Sequence, residues 1–252
     1  MSLSAVIITL NETKNIEACL QSVRFCDELV VVDSGSVDGT ADLARSLGAR
    51  VWQRPFDDFS SQKNFAIQKA SGDWVLLLDA DERVTEALKE EIILAVVKPE
   101  AAGYSVRRHN YIFGRLMKHG GNAGDMQLRL VKKDQAVFHG VVHERVLPLG
   151  KTGRFKNPLL HFTTATASDY MKKLNAYTDL EVLALSTRRT EDLTTNMARK
   201  PLLRLAQLLV LKRAVFDGIE GCLFAFLSAY YDFVSLAKNW ERSHRERGAP
   251  GA

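Results

Sequence analysis

Asp73-Trp74-Val75-Leu76-Leu77-Leu78-Asp79-Ala80-Asp81 is the stretch on which the fold turns. An unbroken apolar row from Trp74 to Leu78 suits a strand buried on both faces, and such strands belong to parallel sheets covered by helices. Three similar rows precede it, at Leu3 to Thr9, Glu28 to Asp33 and Ala49 to Gln53. The segments between them, Lys14 to Val23, Thr40 to Leu47 and Phe59 to Lys69, read as helices. A further helix is expected from Val84 to Val97, where Pro99 stops it. The alternation is that of βαβ units, so the fold class is α/β with a mainly parallel, Rossmann-like sheet flanked by helices.

Ligands of such sheets bind beyond the carboxyl ends of the strands. Polar residues crowd there: Thr9-Leu10-Asn11-Glu12 after the first strand, Asp33-Ser34-Gly35-Ser36-Val37-Asp38-Gly39-Thr40 after the second, and Asp79-Ala80-Asp81 after the fourth. Helix capping accounts for Asn11 or Asp38 taken alone, and a turn for Ser34 to Gly39. Their gathering at one sheet edge favours a binding site. Two carboxylates around one small residue, a D-x-D motif, aim hard oxygen ligands at a divalent cation, Mg²⁺ or Mn²⁺, with water and substrate phosphates completing its shell. The competing role for Asp81 is as cap of the helix near Val84.

From Gly103 to Phe162 the chain turns to glycine-rich turns and short strands, Gly103 to Arg108, Gln127 to Val131 and Val141 to Leu147, a small mixed-sheet region. Helices are expected at Asp169 to Leu185, Lys200 to Val215 and Ile219 to Trp240, with disorder from Arg245 to Ala252. The expected organisation is a catalytic domain over 1–165, divided into a nucleotide-binding half 1–99 and an acceptor half 100–165, followed by a helical C-terminal region over 166–252.

Of the 252 residues, 46% are hydrophobic and 25% charged, as in an ordinary globular protein. Residues 1–187 carry 23 Lys+Arg and 23 Asp+Glu, while 188–252 carry 11 against 7, so the net charge of +4 resides in the tail. That placement, without interleaved aromatics in the first half, argues against a nucleic-acid partner. Cys19, Cys26 and Cys222 lack metal-site spacing, and the amino terminus lacks a basic leader; reduced thiols and a cytoplasmic location are expected. Leu202 to Leu211 and Cys222 to Tyr231 are strongly apolar but shorter than the roughly 20 residues that span a bilayer. Arg199, Lys200, Arg204, Lys212, Arg213, Lys238 and Arg242 flank them, so peripheral attachment to a membrane surface is expected; packing on the catalytic domain or on a second subunit of a homo-oligomer is the alternative.

The order of motifs resembles the family-2 glycosyltransferases with the GT-A fold: V-I-I-T-L-N-E, V-V-V-D-S-G-S-V-D-G-T, Q-K-N-F-A-I at Gln62 to Ile67 and W-V-L-L-L-D-A-D-E-R at Trp74 to Arg83. The resemblance covers residues 3 to about 97. Val37 departs from it, standing where relatives carry a small hydroxyl residue. The resemblance implies that Thr9, Asn11 and Glu12 line the nucleotide pocket, with Ser34 and Ala80 in the same wall, that Asp33 reads the base, uracil, and that Lys63 sits near the diphosphate. It implies Asp81 as the metal ligand, with Asp79, nearer the strand, at the donor's ribose or sugar.

Gly124 to Lys133, Phe138 to Val146 and Leu159 to Phe162 resemble a narrower group, the bacterial lipopolysaccharide core β-glucosyltransferases. Inverting transfer needs a base to take the acceptor proton. Glu144 is the first candidate and Asp125 the second; a surface ion pair with Arg145 is the bland alternative for Glu144. His161 is read either as a late metal ligand or as a structural histidine. The implied reaction moves a hexose, glucose from UDP-glucose, to an inner-core heptose of lipopolysaccharide. A polysaccharide, a lipid carrier or a peptide are other acceptors. A sugar-1-phosphate nucleotidyltransferase would need a glycine-rich basic loop after the first strand, where this chain has Leu10-Asn11-Glu12-Thr13-Lys14.

Overall fold

The computed structural model describes all residues except 121–123, 137, 140–144, 147–149, 185–192 and 249–252. Two compact units emerge, one of residues 1–109 and 124–162, the other of 110–123 and 163–252. The segment 110–123 therefore groups with the C-terminal helices, not with the acceptor half in which the sequence placed it.

The first unit opens with β1 (Leu3–Thr9), α1 (Thr13–Ser22), β2 (Glu28–Asp33), α2 (Thr40–Ser46), β3 (Arg50–Gln53), α3 (Phe59–Lys69) and β4 (Trp74–Asp79). Strands β3, β2, β1 and β4 lie side by side in that order and run parallel, so the expected mainly parallel core is present. Alternate residues bury to opposite faces. Ala5, Ile7, Leu76 and Leu78 pack with Ile16 and Leu20 of α1 on one face. Val6, Val30, Val32, Val75 and Leu77 pack with Ala66 and Ile67 of α3 on the other. Burial on both faces explains the continuous apolar rows.

A three-residue strand, β5 (Glu82–Val84), follows, and α4 runs Glu86–Val97. The helix expected from Val84 thus starts two residues later, because Thr85 caps it by accepting the N–H of Leu88 at 3.2 Å. Next come β6 (Gly103–Ile112), β7 (Arg115–Leu116), β8 (Met126–Lys132), β9 (Phe138–His139), β10 (Arg145–Val146), β11 (Thr152–Arg154) and β12 (Leu159–Thr164). Strand β8 lies antiparallel between β4 and β6, and β12 pairs antiparallel with β5. Of the strand expected over Val141 to Leu147, only Arg145 and Val146 are described, paired with His139 and Phe138.

In the second unit the end of β6 pairs with β7 around Phe113 and Gly114, both at positive φ, the geometry of a tight hairpin. Its helices are α5 (Ala167–Ala184), α6 (Leu193–Ala206) and α7 (Gly218–Gly248). The helix expected from Lys200 to Val215 is interrupted. After α6 come a wide π turn over Gln207–Leu211, Arg213 in the left-handed region, and a 3₁₀ turn over Ala214–Asp217. Helix α7 continues to Gly248, beyond the point where disorder was expected, and Arg245 there pairs with Glu241 one turn back.

Candidate active site

At the carboxyl ends of β1 and β2 the chain folds around two aspartates. Asp33, wholly buried, accepts the N–H groups of Gly35 and Ser36 at 3.1 and 2.9 Å and the Ser36 hydroxyl at 2.5 Å. A carboxylate offers about four acceptor sites, so one is left over. Asp38 accepts the N–H groups of Thr13 and Thr40, each at 3.1 Å, and so caps the start of α1 and α2 together. Slight burial pushes its carboxyl up, but the donors of Thr13 and Thr40 outweigh this and hold it far below the usual range.

The other residues expected to line the nucleotide pocket lie around this turn. Asn11 sits at φ 54, its side chain accepting the N–H of Val37 at 2.9 Å. Glu12 accepts from the Asn15 amide at 2.8 Å. Ser34 accepts from Gln62 at 2.9 Å, and Gln62 is fully buried against Arg54. Thr9 is buried, and its hydroxyl has no hydrogen-bond partner among the described residues.

A charged cluster follows at the end of β4. Arg129, buried on β8, lies 2.7 Å from Asp79 and 2.5 Å from the wholly buried Glu82. Lys63 approaches Asp79 at 3.4 Å and Arg108 approaches Glu82 at 3.3 Å. Burial pushes the Asp79 carboxyl up, yet Arg129, Lys63 and Arg108 together hold it well below the ordinary range. Glu82 goes the other way: burial and the charge of Asp79 raise it more than Arg129, His161 and Arg108 lower it. Asp125 is clamped by Arg108 at 2.6 Å and by the Gln127 amide at 2.9 Å, so both its oxygens are engaged. Sequence reasoning missed Arg129, Glu82 and Arg108. The available signal was a lone arginine in the apolar run Leu128-Arg129-Leu130.

Asp81 has a different partner from Asp79. Because Thr85 caps α4, Asp81 is not needed for that role. Its Oδ1 lies 3.4 Å from Nε2 of His161, and its carbonyl accepts the N–H of Phe162 at 2.9 Å. The pairing of β5 with β12, which sets His161 opposite Glu82, creates this neighbourhood. Ala80 between the two aspartates is buried. Among the described residues no group of three or more His, Cys, Asp or Glu could form a metal cage. The Asp81 carboxylate fits Mg²⁺ or Mn²⁺ nonetheless, because such ions take few protein ligands and complete their shell with water and substrate phosphates, and the neighbouring imidazole suits the softer Mn²⁺ rather than Mg²⁺. The structure thus brings Lys63, Asp79, Asp81, Asp125 and His161 into one neighbourhood; Glu144 lies outside the described residues.

The chain resembles solved and curated proteins along most of its length. It is 30% identical over 251 residues to the lipopolysaccharide core biosynthesis glycosyltransferase LpsC of Rhizobium meliloti, covering 96% of this chain and 93% of the relative. An uncharacterized glycosyltransferase of Rickettsia typhi is 26% identical over 97% of this chain and 89% of its own. Among solved structures, S. aureus TarS in complex with UDP-GlcNAc aligns with a TM-score of 0.48 at 12% identity, over 94% of this chain and 92% of that one. The model of the family described as glycosyl transferase family 2 matches residues 4–175. The chain therefore belongs to glycosyl transferase family 2 and is a nucleotide-sugar glycosyltransferase.

Proposed function

We propose that the protein transfers a hexose, glucose from UDP-glucose, with inversion onto an inner-core heptose of lipopolysaccharide. The similarity to LpsC over nearly the whole of both chains supports the acceptor class. The observation that carries the chemistry is the Asp81–His161 pair, 3.4 Å apart beside the Asp79 cluster. Asp81 and His161 would hold the divalent cation, Mg²⁺ or Mn²⁺, which when bound supplies positive charge to the departing diphosphate. Lys63 adds a second charge near the same end of β4. Thr9 and the remaining acceptor site of Asp33 face the nucleoside, with Asn11, Glu12 and Ser34 shaping the pocket around it. Asp79, bound to Arg129, orders the cluster and contacts the ribose or sugar.

Glu144 is the base. It takes the proton of the acceptor hydroxyl as that oxygen bonds to the anomeric carbon, while the carbon–oxygen bond to the diphosphate breaks on the opposite face and UDP departs. The engagement of both Asp125 oxygens by Arg108 and Gln127 supports Glu144 over Asp125. The enzyme works at the cytoplasmic face of the inner membrane, held peripherally through its helical unit, where a lipid-anchored acceptor is presented.

A donor panel tests the reading: purified protein with Mn²⁺, UDP-, GDP- and ADP-sugars, and a heptose-terminated core acceptor. UDP-glucose should be consumed with release of UDP and gain of a β-linked glucose on the acceptor. Transfer only to a polysaccharide, a carrier lipid or a peptide would reassign the acceptor. Consumption of no UDP-sugar would overturn the donor assignment.

A further inference from the structure

We propose that the corner from Val210 to Ile219, between α6 and α7, is the point at which the protein enters an anionic lipid surface. The inference deepens the peripheral-membrane part of the proposed function and is independent of its donor and acceptor. It begins with charge. Residues 193–216 contain Arg199, Lys200, Arg204, Lys212 and Arg213 and no aspartate or glutamate.

The corner is built to a fixed shape. Leu208, Ala214 and Ala225 form a small core beneath it. Asp217, almost wholly buried, accepts the N–H groups of Lys118 and His119 at 3.1 and 2.7 Å. The N–H of Gly120 reaches the carbonyl of Lys212 at 2.8 Å. At Gly221 a side chain would stand 2.0 Å from the Ala214 carbonyl, so only glycine lets α7 start this close to the preceding turn.

What this support holds outward is apolar. Val210, Leu211, Phe216 and Ile219 are 72%, 76%, 67% and 79% exposed, and Lys212 and Arg213 stand exposed between them. Scattered exposed apolar residues are ordinary, but a cluster within ten positions on an anchored corner marks an interaction surface. Apolar side chains with cations among them match the boundary between acyl chains and anionic head groups.

A second copy of this chain fits less well. A two-fold contact places the same patch on both sides, setting Lys212 and Arg213 against their own copies, while the one acidic residue of the corner, Asp217, is buried and engaged by the N–H groups of Lys118 and His119. A spanning role for α7 also fits poorly, although it is the one described helix long and apolar enough to cross a membrane, with 22% of its apolar window buried. Its side chains tie it to α5: Ser235 donates to Glu181 at 2.9 Å, Lys238 reaches Asp179 at 2.7 Å, and Arg242 reaches the Val182 carbonyl at 2.9 Å. With α7 held along a charged neighbour, the corner at its start is left to meet lipid.

The test uses the full chain and sedimentable vesicles of phosphatidylcholine with or without phosphatidylglycerol. The protein should bind the anionic vesicles and be released by salt. Binding should fall at least about tenfold in Lys212→Glu/Arg213→Glu and in Leu211→Asp/Phe216→Asp. A Phe216→Trp variant should show a blue-shifted emission on the same vesicles. Circular dichroism and stabilisation by UDP with Mn²⁺ check that each variant keeps its fold and donor site, so a lost membrane site and a wrong donor assignment give different results. Equal binding to both vesicle types, unchanged binding by both double variants, or an unshifted emission would overturn the proposal. So would a dimer in light scattering that Leu211→Asp/Phe216→Asp dissociates while vesicle binding persists.

Discussion

The guanidinium of Arg129 lies 2.7 Å from the carboxylate of Asp79 and also contacts Glu82, joining the end of β4 to its antiparallel neighbour β8. Removing one partner of such a buried group leaves uncompensated charge, at a cost of about 3–5 kcal/mol. Arg129→Met should therefore lower stability by that amount in urea unfolding. Adding Glu82→Gln to it should recover part of the loss, because one of the two stranded carboxylates is neutralised.

The pH dependence of folding should have two opposed components. Asp38, held below its ordinary value of 3.8, stabilises above that pH, and its contribution disappears as pH falls through the lower folded value. Glu82, raised above its ordinary 4.5, stabilises below that pH, and its contribution disappears as pH rises through the higher folded value. In stability curves against pH, Asp38→Asn should flatten the acid limb. Glu82→Gln should remove the decline that begins above about pH 4.5.

Glu144→Gln should reduce kcat by about 10²- to 10⁴-fold, the usual worth of a general base, with the donor KM little changed. Asp125→Asn should disturb Arg108 and so raise the donor KM as well. Steady-state kinetics on both variants distinguish the roles; a larger kcat loss for Asp125→Asn with KM unchanged would reverse the assignment.

Gly221→Ala should destabilise the helical unit by about 1–3 kcal/mol, the usual cost of overpacking. The added Cβ cannot share space with the Ala214 carbonyl 2.0 Å away. Thermal unfolding followed by circular dichroism reads the loss.

The parallel core was legible because three of its strands, β1, β2 and β4, are buried on both faces, and that burial writes continuous rows such as Val30-Val31-Val32 and Val75-Leu76-Leu77-Leu78. The turn chemistry of Asp33 to Thr40 was legible too, since short polar side chains bond their own backbone at such places. Strand β5 was not. Three residues, Glu82 to Val84, leave no periodicity to detect, and their pairing with Leu159 to His161 depends on contacts more than 70 positions apart. Without that strand the sequence could name His161 but could not bring it to Asp81. Arg129 was hidden for a related reason: it lies on β8, and its partners Asp79, at the end of β4, and Glu82, on β5, are about 50 positions away in the sequence. The interruption after α6 escaped because the apolar pattern of Leu202 to Leu211 continues unchanged into the turn.

The most direct test of the account is thermal unfolding of the wild type and Asp81→Asn with UDP, in the presence and absence of Mn²⁺. The wild type should gain stability from UDP and a further increment from UDP with Mn²⁺, by mass action on the folded state. Asp81→Asn should fold normally and lose that metal-dependent increment, together with turnover. An increment equal in both proteins, or no stabilisation of the wild type by UDP under either condition, would contradict the assignment of Asp81 as the metal ligand of a nucleotide-sugar site.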